Sequence, residues 1–61
     1  MRDINRIESL LDLIKSVWKK YPDLRLGQLI LNVTQEDKLY YLEDADLKML
    51  LEERYKMKEG K

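Results

Sequence analysis

The segment PDLRLGQLILNV, Pro22 to Val33, decides how this 61-residue chain is read. It begins at the single proline and holds one of only two glycines. Asp23 is a good N-cap, and Leu24 to Val33 then reads as a short helix, apolar nearly all round and interrupted mainly by Arg25, Gln28 and Asn32. The competing reading is a strand, because Leu24, Leu26, Gln28 and Ile30 alternate. The alternation stops beyond Leu29, which favours the helix. A helix apolar on most sides is buried on most sides, so this element is expected at the centre of the core. Gly27 is then expected where a neighbouring helix approaches closely, since a helix-interior glycine costs about 1 kcal/mol against alanine and needs an offset. Arg25 and Gln28, the polar exceptions, are expected either to satisfy backbone groups across the core or to face a second chain, with the structural role favoured and Arg25 reaching the acidic stretch Glu43 to Asp46.

Upstream, Asp3 can cap a first helix running to about Lys20. Ile4, Ile7, Leu11, Ile14, Trp18 and Tyr21 follow a strict 3-4-3-4-3 spacing, and Leu10, Leu13 and Val17 widen that stripe. Trp18 and Tyr21 are expected to pack in the core as its continuation. Acids early in this helix and lysines late suit its dipole. Tyr21-Pro22 ends it, because proline disfavours helical geometry at the residue before it.

Downstream, Thr34 to Lys38 is polar and reads as loop. Leu39-Tyr40-Tyr41-Leu42 reads as a short extended segment, which cannot form a sheet alone and has a second copy of itself as its natural partner. Adjacent residues of a strand point to opposite faces, so one of Tyr40 and Tyr41 is expected to be exposed. These four residues are the expected partner or dimer contact. Acids at Glu43, Asp44 and Asp46 mark the start of a third helix, with Leu47, Leu50, Leu51 and Tyr55 facing inward. Residues 56–61 are expected to fray. The fold class is therefore all-α: one compact three-helix domain over residues 1–61, with one short extended segment before the last helix.

Composition limits the functions available. Twelve basic and twelve acidic side chains balance, and there is neither cysteine nor histidine. Disulfides and the usual zinc frameworks are thereby excluded. The acids Glu36, Asp37, Glu43, Asp44 and Asp46 lack calcium-loop spacing and read as helix-dipole complement and solvated loop. Ser9, Ser16 and Thr34 have no histidine to activate them, so no catalytic, cofactor or metal residue is assigned and no small-molecule substrate is expected. The longest uncharged run, Leu26 to Gln35, is half of what a membrane span requires. Nucleic acid is disfavoured as a partner by the balanced charge and by acids where a recognition helix would meet phosphate. Lys15, Lys19, Lys20 and Arg25, with Arg2 and Arg6, are the only phosphate contacts such a reading would have.

The linked features WKKYPDLRLGQLILNV and LYYLED resemble a class of small bacterial and bacteriophage proteins to which no activity is assigned. Members carry an R-[LF]-G-Q-L-I segment, here Arg25 to Ile30, then an aromatic piece and an acidic helix start, here Leu39 to Asp44. The resemblance covers roughly residues 4–51 and implies a setting, with no catalytic or ligand residues. The expectation is a cytoplasmic, non-enzymatic interaction protein, a homodimer with a further protein partner, in the manner of phage modulators of host or defence complexes. A small DNA-binding regulator and a structural subunit of a larger assembly are the alternative classes.

Overall fold

A computed structural model describes residues 3–56. It is all-α, with four helices rather than three and no strand among the described residues: α1 (Asn5–Lys20), α2 (Leu26–Leu31), α3 (Glu36–Leu39) and α4 (Asp44–Tyr55).

α1 starts at Asn5 with Ile4, not Asp3, at the N-cap position, and Asp3 lies just ahead of it. The Asp3 carboxylate accepts the Asn5 N–H at 3.0 Å, satisfying a donor that has no intrahelical partner. The helix ends at Tyr21, whose N–H still reaches the Val17 and Trp18 carbonyls while its own backbone has left helical geometry (φ −128°, ψ 66°) ahead of Pro22. Trp18 Nε1 donates to the Leu24 carbonyl at 2.7 Å, tying the end of α1 to the turn that follows.

α2 is shorter than expected. Its N-cap is Arg25, not Asp23, and the Gln28 side chain accepts the Arg25 N–H at 2.9 Å. An arginine side chain has no acceptor, so only this half of a capping box is possible. Gln28 is thus structural, but for its own helix and not across the core. Arg25 is exposed, and the partner of Asp44 is Arg6, with Nε to Oδ2 2.6 Å apart. Gly27 also departs from expectation: a Cβ built there meets nothing within 4 Å, so no helix approaches it closely.

The extended segment is absent too. Glu36–Leu39 forms one helical turn, and bonds from Tyr41 N–H to the Lys38 carbonyl (3.1 Å) and from Leu42 N–H to the Leu39 carbonyl (3.2 Å) continue as turns. With no second strand among the described residues, local i→i+3 bonds satisfy this backbone where a ladder cannot. α4 begins with its acids as expected and ends at Lys56, which takes left-handed geometry (φ 58°) and returns its N–H to the Glu52 carbonyl. The expected fraying falls almost wholly outside the described residues.

α1 packs mainly on α4. Val17, Leu29, Leu51 and Tyr55 form the buried core, with Leu10, Leu13, Ile14, Leu24, Ile30, Val33 and Leu47 packed against it. Tyr55 places its hydroxyl inside, donating to the Leu29 carbonyl at 2.8 Å and accepting from Asn32 Nδ2 at 3.3 Å. That hydroxyl joins the end of α4 to α2, and the Tyr21 ring lies 5.4 Å from the Tyr55 ring.

Candidate functional site

The side of α1 that turns inward is Leu10, Leu13 and Val17, the residues that merely widen the apolar stripe in the sequence, with Ile14 of the stripe itself partly buried beside them. Most of the stripe's other positions face solvent: Ile4 is 73% exposed, Leu11 58%, and Ile7 and Trp18 are also exposed. At 100° per residue these positions lie roughly a quarter-turn from the core side of the helix. Trp18 is therefore not a core tryptophan. It is a rim residue whose indole N–H is satisfied and whose ring remains accessible.

Along the C-terminal half of α1 this surface deepens into an open groove of about 540 Å³, lined by Leu11, Ile14, Lys15, Trp18, Lys19, Pro22 and Leu26. Pro22 and Leu26 come from the turn into α2, and the Trp18–Leu24 bond sets that wall against α1. The groove is an apolar floor with two lysines at its edge. The clue to it in the sequence is breadth: α1 carries more apolar positions than the short helices after it can cover.

The expected contact residues separate by exposure. Leu39 and Leu42 are half-buried, whereas Tyr40 and Tyr41 are 85% and 80% exposed. Their rings meet edge to face, with centroids 4.9 Å apart. Helical and turn geometry, unlike a strand, lets both adjacent rings stand out together. Exposed Glu36, Asp37 and Glu43 lie close by in the chain, so the aromatic pair sits in an acidic setting.

A smaller crevice of about 260 Å³ opens between α1 and α4, lined by Arg6, Ser9, Leu10, Asp44, Ala45 and Lys48. Arg6 pairs with Asp44 there, and Lys48 Nζ donates to Ser9 Oγ at 2.8 Å. These groups fasten the two long helices together, which commits Arg6 to an internal partner. Among the described residues, no group of three or more acidic side chains is placed to hold a metal ion. No helix among them is long and apolar enough to cross a membrane.

Fold and surface together define a small all-α domain whose described residues include an exposed apolar groove on α1 and the exposed Tyr40–Tyr41 pair. In comparison with known proteins, no family model, no curated protein and no solved structure matches the chain.

Proposed function

We propose that the protein is a non-enzymatic protein–protein interaction module of the bacterial or phage-infected cytoplasm, working as a homodimer. In this reading it is encoded by a bacteriophage and modulates a host complex, as an anti-defence factor would. The observation that carries the reading is the Tyr40–Tyr41 pair, two large amphipathic rings held against each other in nearly full solvent exposure. Tyrosines contribute disproportionately to interface energy because they add large contact area at low entropic cost and keep a polar tip for a hydrogen bond. The surrounding acids favour a partner with an apolar pocket and a basic rim.

Capture from a bacterial lysate on immobilised full-length chain, compared with Tyr41→Ala, tests this directly. A partner retained by the wild type and lost with the variant is the expected result. Identical captures by the two, or none by either, would overturn it. A salt-dependent shift of duplex DNA that Lys19→Glu with Lys20→Glu abolishes would replace it with the regulator class.

A further inference from the structure

We infer that the outward stripe of α1 is where a second copy of this chain binds, with the two α1 helices running antiparallel. The inference rests on the self-association proposed above, and it moves the contact from Leu39–Leu42 to α1. Three features of α1 converge on it.

The first is spacing. Ile4, Ile7, Leu11, Ile14 and Trp18 alternate by three and four, the pattern of a two-helix seam. The chain's own core is built on the neighbouring positions Leu10, Leu13 and Val17, so most of the seam remains in solvent.

Shape is the second. The exposed side chains Ile4 and Ile7 project from the N-terminal half of α1, and the groove lies along the C-terminal half. A two-fold axis near Leu11 sets the isoleucines of each copy into the groove of the other. Both halves are then filled at once, as an isologous contact requires. A parallel pair would set groove on groove and isoleucine on isoleucine.

Charge is the third. Glu8 and Asp12 are exposed like charges four residues apart, and so are Lys15 and Lys19. Each such pair destabilises an isolated helix slightly. In the antiparallel arrangement Glu8 lies beside the partner's Lys15, and the same pairing repeats across the axis. The helix dipoles also run in opposition. A parallel two-fold places this charged flank on opposite sides of the seam, where no such pair can form. Asp12 meets the same residue of the other copy near the axis, one like-charge contact against two Glu8–Lys15 pairs, so on balance the flank is complementary to itself and favours a second copy over an unrelated helix. The buried core within one chain is small, and chains of this size commonly draw on association for stability.

Light scattering of the full chain should give twice the 7.4 kDa chain mass. Leu11→Lys should give a monomer with unchanged helical circular dichroism, because Leu11 is exposed in the single chain. Glu8→Lys or Lys15→Glu alone should weaken the dimer about tenfold, and the two combined in one chain should restore it. The chain has no cysteine, so introduced thiols report orientation cleanly. Leu11→Cys should oxidise to a covalent dimer. Ile4→Cys alone should not, since its two copies would lie about 21 Å apart along the axis, beyond disulfide reach. A wild-type monomer at every concentration, a dimer indifferent to Leu11→Lys, or self-crosslinking of Ile4→Cys would each overturn the inference. Capture that depends on Tyr41 is read separately: if it survives while the chain proves monomeric, the interaction reading stands and this inference falls.

Discussion

Gly27→Ala should stabilise the protein. Gly27 is the second residue of α2, is exposed, and has no atom within 4 Å of the position a Cβ would take. Alanine in place of a helical glycine gains up to about 1 kcal/mol, partly by restricting the unfolded chain. Because the site lies near the start of a six-residue helix, the lower half of that range, about 0.5 kcal/mol or slightly more, is expected. For a domain of this size that raises the thermal midpoint by roughly 2–4 °C. The assay is thermal and urea unfolding followed by circular dichroism, with both proteins at one fixed concentration, because self-association makes midpoints concentration-dependent. A loss of stability would refute the reasoning by showing that another element presses on Gly27. No change at all would show that α2 does not hold helical geometry at that residue.

Tyr55→Phe should cost about 1–3 kcal/mol, since it leaves the buried Leu29 carbonyl without its donor at the junction of α2 and α4. A urea midpoint equal to wild type would show that the bond is dispensable. Arg6→Ala should cost no more than about 1 kcal/mol, because both partners of the Arg6–Asp44 pair are more than one-third exposed. That cost should shrink as salt is raised. A large, salt-independent loss would mean that the stem of Arg6 matters through packing and not through charge.

The contrast between Tyr55 and Arg25 shows what kind of information the sequence carries. Tyr55 falls in register with Leu47 and Leu51 on α4, so its inward direction is legible from periodicity alone. Arg25 has no such constraint. Its expected reach to the acidic start of α4 depends on which basic residue the packing brings near, and α1 presents Arg6 to Asp44 instead. Gly27 fails for a related reason: glycine marks a place where close approach is permitted, and only the neighbours decide whether it occurs. The Leu39–Leu42 segment has strand-forming residue types, but a strand needs a partner, and within the described chain local turns satisfy its backbone at lower cost. At the candidate site, the exposure of the aromatic pair is half legible. Opposite strand faces would expose one ring, whereas the turn exposes both.

By itself, the sequence determined the all-α class, the end of α1 at Lys20 ahead of Pro22, the acidic start of α4 and the inward register of Leu47, Leu51 and Tyr55. Those features depend on interactions a few residues apart: caps, dipoles, the restraint before proline, and 3.6-residue periodicity. Tertiary structure decided which edge of the broad apolar arc on α1 is covered. Periodicity identifies a helix face but cannot divide it, and α2 and α4 cover only the side of Leu10, Leu13, Val17 and, in part, Ile14. The uncovered Ile4–Trp18 side is therefore a property of the assembled fold.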